Sequence, residues 1–491
     1  MNSGRISAVV AHLLLLAGCA AGPDFQRPAA PGVKSYTREA LPALTAAAPV
    51  RAGEAQKFLD GKEIDYQWWK TFQSPQLDAL VERSLKTNPS VQAAQAALRQ
   101  AHELVFAQQG FYYPTVQASV SPSRQSTSAT ISPVLNSGAT VFNLYTAQLA
   151  VGYTPDVFGA NRRQVEALRA SAETQHFQLE ATYLTLASNV VAAAMQEASL
   201  NAQIAATQEI IKANTQSLAI LKKQFELGYA AGLDVAAAET ALAQVEQSLP
   251  PLQKQLEQTH NMLAALAGRY PGDAAADRFE LTALRLPQEL PLSLPSKLVE
   301  QRPDVRAAEA QVHSASALVG VAVTNMLPQF TISAATGGAA TVFSQMFATG
   351  NPFWAIAGNV SQTLFAGGTL LHRKRAAEAA FEQSTAQYKT TVISAFQNVA
   401  DTLYALKADA DALSAAAKAH QAAETSLSIV RRQLELGQVS GLVLLNAQQA
   451  YQQTVLALAQ AQANRLMDTA ALFQALGGGW WNRPDSIANK R

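Results

Sequence analysis

The sequence contains a single cysteine, Cys19, whose surroundings suit covalent modification of its thiol. A lone thiol cannot form a disulfide framework within the chain. Ahead of it lie Arg5, an apolar run over residues 8–17 and the small residue Gly18. A charged start, an apolar stretch and small residues before a cleavage point are the layout of a secretory signal peptide. We therefore expect residues 1–18 to be removed and Cys19 to become the new N-terminus.

The segment Leu16-Ala17-Gly18-Cys19 resembles a bacterial lipobox. The resemblance implies cleavage by a lipoprotein signal peptidase and a diacylglycerol attached to Cys19 through a thioether. An added N-acyl chain would give the several chains that stable membrane anchoring requires. The next residue is Ala20 rather than the aspartate that, by the rule for such lipoproteins, retains them at the inner membrane. Outer-membrane lipid is the expected partner, and a buried thiol in a discarded presequence is the alternative.

Other residue types that could carry chemistry are not arranged for it. Histidines are scattered at positions 12, 102, 176, 260, 313, 372 and 420, without a metal-ligand spacing such as H-E-x-x-H. The sequence has no glycine-rich phosphate loop and no nucleophile elbow. The 37 Lys and Arg residues balance 36 Asp and Glu, so there is no basic footprint for nucleic acid. We expect no enzyme activity, no cofactor, no metal and no nucleic-acid partner.

The elements that must position any site occur in two related series, which is the signature of an internal repeat. The segment Gln224–Gly228, followed by Gly232-Leu233, recurs 209 residues later as Gln433–Gly437, followed by Gly441-Leu442. Each series predicts a short helix, a strand hairpin, a long helix, a tight turn and a return helix.

The two long helices are predicted over residues 160–227 and 369–436, where no proline interrupts a seven-residue apolar period. Such a period imposes left-handed supercoiling on helices that share it. At 1.5 Å per residue, each helix would be about 100 Å long. In the first return helix, Pro250-Pro251 predicts a kink or a break, whereas the second has Ala459-Gln460 and should be straight.

Two polar residues, Glu197 and His420, interrupt the apolar rows of the long helices. We expect them to be satisfied polar positions that face a lumen or another helix. The alternative is that they specify helix register or contribute to gating, as buried polar residues in such rows can.

Four strands are predicted, over residues 116–123, 141–153, 330–341 and 353–363, with small or polar linkers at 126–136 and 337–350. Their lengths suit transmembrane strands. Aromatic residues lie at their ends, as in an interfacial girdle, although soluble sheets also show this: Phe111, Tyr112, Tyr113, Phe343, Phe347, Phe353 and Trp354.

Four strands cannot close a barrel, and an open strand edge in lipid leaves backbone groups unpaired. We therefore expect the chain to oligomerise. Two copies would give eight strands with a filled interior, whereas three would give twelve strands with room for a lumen.

Several motifs together carry a family resemblance. They are Gly22-Pro23-Asp24-Phe25-Gln26-Arg27-Pro28, Trp68-Trp69-Lys70-Thr71-Phe72, Asn88-Pro89, Asp156-Val157-Phe158-Gly159, Arg302-Pro303-Asp304-Val305 and Leu364-Phe365-Ala366-Gly367-Gly368. Together they resemble the TolC-like outer-membrane efflux factors, specifically the NodT-family lipoproteins that serve tripartite RND-type pumps. The resemblance covers the chain from the lipobox to about Gly477.

The resemblance implies a mainly α fold with transmembrane β-strands. Long antiparallel helical hairpins would form a periplasmic α-barrel tunnel, continuous with a twelve-stranded β-barrel in the outer membrane of a homotrimer. The implied function is export of small molecules, with a periplasmic adaptor and an inner-membrane RND pump as partners. A duct for type I protein secretion and a lipoprotein scaffold without a pore are the alternatives.

The domain boundaries expected on this basis follow the repeat. Residues 1–18 are the signal peptide, and 19–74 form the lipidated segment and a collar in which Trp68 and Trp69 pack. Repeat 1 covers 75–285, repeat 2 covers 286–476, and 477–491 form a C-terminal tail.

The resemblance also implies the site residues. Adaptor contact and gating would fall on the two helical turns, at Gly228, Gly232, Leu233, Asp234, Gly437, Val439, Gly441 and Leu442. Strand-to-helix junctions would fall at Gly159, Gly367 and Gly368, where glycine allows unusual backbone angles and close packing. Family members often carry acidic residues at the closed tip, but here only the first turn has one. We therefore expect apolar closure by Val439 and Leu442.

Overall fold

The chain runs twice through the same order of elements in the computed structural model, which describes residues 20–128, 140–273 and 278–483. The first series is β1 (Lys57–Asp60), α1 (Pro75–Thr87), α2 (Pro89–Gln109), β2 (Thr115–Ser126), β3 (Val141–Tyr153), α3 (Ala160–Glu226) and α4 (Gly232–Leu266). The second series is β4 (Glu289–Leu292), α5 (Pro295–Gln301), α6 (Pro303–Thr324), β5 (Gln329–Ala340), β6 (Pro352–Ser361), α7 (Thr369–Glu435) and α8 (Gly441–Ala475). The predicted signal peptide and Cys19 lie outside the described residues.

The long helices α3 and α7 have 67 residues each, and the return helices α4 and α8 have 35 each. These bounds confirm the prediction of two helical hairpins. Residues of the seven-residue period are buried, as expected of positions that pack against another helix. Val190, Val399, Leu406 and Leu413 are each 0% exposed. Within the described chain, no helix combines the length and apolar character needed to cross a membrane.

Pro250-Pro251 was predicted to kink or break the first return helix, and the break is wrong. α4 continues through both prolines. The carbonyl groups that lose their donors belong to Glu246 and Gln247, which are exposed residues, so water can bond to them. In the same turn, the Ser248 hydroxyl donates to Val245 O at 2.7 Å.

The four strands β2, β3, β5 and β6 form one antiparallel sheet in that order, which leaves β2 and β6 at its edges. The predicted strands are confirmed. Gly337 and Gly338 fell both in the predicted strand 330–341 and in the predicted linker 337–350, and they lie inside β5, where Gly337 is paired with Gln148. A separate parallel pair joins β1 to β4.

Two compact units divide the described chain, and each combines segments of both series. Unit 1 takes Ala97–Gln175, Ala308–Tyr388 and the residues up to Pro28. Unit 2 takes Ala29–Ala96, His176–Ala307 and the residues from Lys389 onward. The sheet belongs to unit 1 and the helical turns belong to unit 2.

Equivalent contacts in unit 2 close the C-terminal ends of the two return helices. Asn88 Nδ2 donates to Leu266 O at 2.9 Å, at the end of α4. Arg302 Nη1 donates to Ala475 O at 3.0 Å, at the end of α8. Each donor immediately precedes the proline that begins a short helix, so the two series share this tertiary contact although the residue types differ.

A glycine follows each of these helix ends in a left-handed conformation, with φ 68° at Gly268 and 96° at Gly477. A Cβ at Gly268 would lie 2.8 Å from Thr87 O, and one at Gly477 would lie 2.6 Å from Gln301 O. Both glycines are therefore required by their backbone conformation and by the close approach of the C-terminal ends of α1 and α5.

Gly268→Ala tests this contact against Gly61→Ala. Gly61 has φ 72° but nothing within 4 Å of an added Cβ, so its replacement adds only the backbone strain of about 1–2 kcal/mol. Gly268→Ala adds the same strain and the clash with Thr87 O. We expect Gly268→Ala to lower the melting temperature of the purified protein by several degrees more than Gly61→Ala. Equal melting temperatures of the two variants would contradict this account.

Candidate channel sites

The four-stranded sheet has one apolar and one polar face. Its register places Val116 opposite Val151, Val151 opposite Ala334 and Ala334 opposite Ile356, so these side chains share a face. That face carries the sheet's large apolar side chains that are exposed in the chain, namely Val116, Val120, Val141, Leu149, Ile332, Trp354, Ile356 and Val360. The other face is mostly polar or small, and it carries Gln117, Ser119, Ser121, Gln148, Ser333 and Asn359, with Phe142 and Leu144 as apolar exceptions. Strands whose side chains alternate between an apolar and a polar face are typical of transmembrane barrels, in which one face contacts lipid and the other contacts water.

Aromatic side chains lie at both ends of the apolar face. Phe111 and Tyr113 precede β2 and are 62% and 72% exposed, while Phe343 and Phe347 follow β5 and are 60% and 67% exposed. The sequence grouped Phe353 with them, but it is paired with Gly337 and therefore points to the polar face.

The strand-to-helix junctions are built on glycines with positive φ. Gly159 has φ 81° and immediately precedes α3, and Gly368 has φ 85° and immediately precedes α7. Gly367, beside it, has φ 56°. Asp156 caps α3, because its carboxylate accepts hydrogen bonds from the backbone N–H of Asn161 at 2.9 Å and of Arg162 at 2.8 Å.

The first junction also holds the N-terminal segment. A Cβ at Gly159 would lie 2.7 Å from the Cβ of Ala20, the residue that follows Cys19. Ala21 N donates to Phe158 O at 3.0 Å. Gly159 therefore provides close packing as well as backbone freedom.

Arg163 fastens the same segment from the first turn of α3. Its guanidinium donates to Ala21 O at 3.3 Å, to Gly22 O at 3.4 Å and to Asp24 Oδ1 at 2.7 Å. The fourth bond goes to Glu166 Oε2 at 2.8 Å. The Arg163 side chain is only 6% exposed.

The network around Arg163 continues into α6. Glu166 Oε1 lies 3.0 Å from His313 Nε2, and Phe25 stacks on the His313 ring with centroids 4.3 Å apart. Arg27 and Glu309 form an ion pair at 2.9 Å. Residues 20–27 are thus bound to two helices of unit 1.

The two helical turns in unit 2 have the same backbone. Gly228 (φ 80°) donates to Phe225 O at 2.9 Å, and Gly437 (φ 71°) donates to Leu434 O at 2.9 Å. The next amide in each turn bonds one residue further back, which is a Schellman motif. Gly232 and Gly441 then begin the return helices.

The turns expose apolar side chains in the chain. Leu233 is 79% exposed and its equivalent Leu442 is 49% exposed. Val439 is half-buried against Leu427 and Val430 of its own hairpin, so it is less available than Leu442 to another copy. A cavity of about 180 Å³ between the hairpins brings together, among others, Asp234, Gly441 and Leu442.

The two polar residues of the long helices contact other helices of unit 2. Glu197 is 0% exposed, and its Oε1 lies 3.3 Å from His260 Nε2 and accepts from Phe279 N at 3.2 Å. Burial raises the pKa of the Glu197 carboxyl, while the hydrogen bond from Phe279 N and the charge of His260 oppose the rise. The ring of His420 lies 5.4 Å from that of Tyr451 on α8. Both residues contact another helix, as expected. The expectation that they are satisfied is wrong, because Glu197 Oε2 and His420 Nδ1 are buried without a hydrogen-bond partner among the described residues.

A carboxylate pair joins α7 to α8. Burial, followed by the hydrogen bond and the charge of Asp468, raises the pKa of Asp409 to about 7, and the charge of Arg465 opposes the rise. Arg465 is 0% exposed and donates to Glu54 O at 2.6 Å and to Thr45 Oγ1 at 3.0 Å.

Sequence reasoning missed Arg163 and the pair of Asp409 and Asp468. A sequence signal for the pair was present. Asp409 and Asp468 each lie three residues after a position of the seven-residue period, Leu406 or Arg465, in a row of small residues. For the role of Arg163 in holding the N-terminal segment no local signal existed, since Ala21, Gly22 and Asp24 lie about 140 residues earlier in the chain.

Long helical hairpins together with a sheet that is apolar on one face define the class of outer-membrane channel proteins. Within that class, the chain belongs to the outer membrane efflux protein family, whose model matches residues 80–269 and 294–478. It is therefore an outer-membrane protein of efflux systems.

Relatives agree with this assignment over nearly the whole chain. The toluene efflux pump outer membrane protein TtgC of Pseudomonas putida is 28% identical over 485 residues, which cover 98% of this chain and 97% of that protein. The probable outer membrane lipoprotein SilC of Salmonella typhimurium is 27% identical, covering 96% and 98%. The solved structure of the outer-membrane channel OprN superposes with a TM-score of 0.83 at 26% identity, covering 94% of this chain and 100% of that one.

Arg163→Ala tests the attachment of the N-terminal segment. We expect amide hydrogens of residues 21–27 to exchange at least tenfold faster, because three hydrogen bonds to Ala21, Gly22 and Asp24 are lost. Hydrogen exchange with mass spectrometry measures this directly. Arg162→Ala is the control, since Arg162 contacts Asp156 instead and its side chain is 37% exposed. Unchanged protection of residues 21–27 in Arg163→Ala would contradict this role.

Asp409→Asn tests the carboxylate pair through pH. Because the pKa of Asp409 is raised from 3.8 to about 7, its contribution to stability is fully present below pH 3.8 and is lost as pH rises through about 7. Asparagine does not titrate, so the melting temperature of Asp409→Asn minus that of the wild type should increase from pH 4 to 7 and then level off, reaching a few degrees. Asp411→Asn, at an exposed carboxyl of the same helix, is the control, and identical pH profiles for the two variants would count against the pair.

Proposed function

We propose that three copies of this chain form the outer-membrane exit duct of a tripartite efflux pump, which carries small organic molecules out of the cell. The observation that carries the proposal is the two-faced sheet with an open edge on each side. Its apolar face suits lipid, and its polar face suits a water-filled lumen.

The open edges account for the number of copies. β2 and β6 each have a strand on one side only in the described sheet, and lipid offers no water to bond the other side. Pairing of β6 with β2 of the next copy removes both edges when the ring closes. Three copies supply twelve strands and a lumen, whereas two supply eight and a side-chain-filled interior.

The lipid anchor at Cys19 fits the same arrangement. Arg163 and Gly159 hold residues 20–24 at the junction where the chain passes from β3 into α3. Lipid chains on Cys19 would therefore start next to the bilayer. The relative SilC is itself named a probable outer membrane lipoprotein, which supports such an anchor. The anchor would add membrane attachment without entering the lumen.

The helical turns would contact the periplasmic adaptor and close the duct on the pump side. Leu233 and Leu442 are exposed in one copy, and a threefold ring of such side chains closes by burying apolar surface. Asp234 is the one acidic residue of the two turns and is half-buried in the chain, so a carboxylate ring is a weaker basis for closure. An RND pump in the inner membrane would supply the transported molecule.

The name of TtgC refers to toluene, which supports small apolar or amphipathic molecules as cargo. No residue pattern in the described chain favours protein secretion over small-molecule export.

Conductance across a planar bilayer tests the duct and its closure together. Purified wild-type protein should form channels of low conductance, and the double variant Leu233→Asp, Leu442→Asp should raise the conductance several-fold, because a ring of carboxylates repels itself. Tyr270→Asp, at a residue 81% exposed and outside both turns, is the control. Correctly folded oligomer that forms no channels would contradict the duct, whereas channels unaffected by the double variant would contradict only the apolar closure.

A further inference from the structure

Five aromatic side chains line a cavity of about 420 Å³ in unit 2 that no element of the proposed duct requires. They are Tyr66, Trp68, Trp69, Tyr183 and Trp480. The volume is within the range of small-molecule sites. The sequence predicted that Trp68 and Trp69 pack in a collar. Trp68 does pack on Phe473, with ring centroids 5.3 Å apart, but both tryptophans also line the cavity.

Two buried polar groups of the cavity lining have no partner among the described residues. The Glu180 side chain is 0% exposed, and its Oε1 accepts from Arg483 Nη2 at 2.6 Å, while its Oε2 accepts from no group in the described part of the chain. Trp69 is 3% exposed, and its Nε1–H has no acceptor within residues 20–128, 140–273 and 278–483. Buried polar atoms are nearly always bonded, and an ionised oxygen is the most costly to leave alone. An unpaired carboxylate oxygen at the wall of a cavity indicates a missing hydrogen-bond donor.

The chain itself shows which kind of group the site accepts. The Arg483 guanidinium bonds to Glu180 and lies 4.8 Å from the centroid of the Tyr183 ring. A cation held between a carboxylate and an aromatic face gains both an ionic and a cation–π attraction. Burial raises the pKa of Glu180, and the charge and hydrogen bond of Arg483 oppose the rise.

We propose that this cavity binds a protonated organic amine with an apolar body. Its ammonium donates to Glu180 Oε2, and its body packs against Tyr66 and Trp480, two aromatic residues of the lining that are partly exposed. An anion would meet the Glu180 carboxylate, and a purely apolar molecule would leave Oε2 unpaired. The site requires one chain only, so it does not depend on the duct proposed above.

Arg483 shapes the specificity of the site by competing for Glu180. Its side chain is 26% exposed, at the rim, and its positive charge opposes a second cation nearby. Glu180 and Arg483 therefore have opposite expected effects. Loss of the carboxylate removes the bond to the amine, whereas loss of the guanidinium removes a competitor.

Isothermal titration calorimetry on the full-length protein in detergent tests the proposal, with 1-naphthylmethylamine as the probe and 1-naphthylmethanol as its neutral match. We expect saturable binding of one amine per chain. Glu180→Gln should weaken it at least tenfold, and Arg483→Gln should strengthen it several-fold. The control is Glu82→Gln, at a cavity carboxylate whose side chain is 52% exposed, which should change the affinity less than twofold.

Several results would overturn the proposal: no saturable binding to folded wild type, equal affinity for Glu180→Gln, or equal affinity for the alcohol. If Glu180→Gln does not fold, weaker or unchanged binding by Arg483→Gln also overturns it.

Discussion

Unpaired backbone groups along the edges of β2 and β6 are the constraint on which the rest of this protein depends. The apolar face of the sheet places these strands in lipid, where an unpaired N–H or C=O group costs several kcal/mol. In the proposed duct, further copies of the same chain supply the missing partners. The ring that pairs the strands would then also set the number of helical hairpins around the tunnel, so the widths of the pore and the tunnel would depend on the same hydrogen bonds.

Each of the two series of elements contributes one strand hairpin and one helical hairpin. The two series share equivalent glycines at the positions where the backbone needs a positive φ. Gly159 and Gly368 turn strands into helices, and Gly268 and Gly477 end return helices against a neighbouring chain segment. The two series differ in their titratable groups. The equivalents of Asp409 and Asp468 in the first series are Leu200 and Thr259, so a titrating pair is confined to the second hairpin.

Much of the fold could be predicted, because its helices and strands have sequence patterns that are contiguous in the chain and extend over many residues. Sixty-seven residues without proline in a seven-residue period define each long helix within one residue at either end. The strands followed from composition and length. The predicted break at Pro250-Pro251 was wrong, because exposed carbonyl groups can bond to water when proline supplies no N–H donor. Arg163, the unpaired Oε2 of Glu180 and the contacts of Glu197 could not be predicted, since each depends on which distant segments meet.

The number of chains in the assembled protein is the most direct test of this account. Native mass spectrometry of the detergent-purified protein should give three copies, each of 52.2 kDa before processing at Cys19. A stable, folded single chain or a dimer with lipid-facing strands would contradict the claim that the sheet edges are satisfied by closure of three copies.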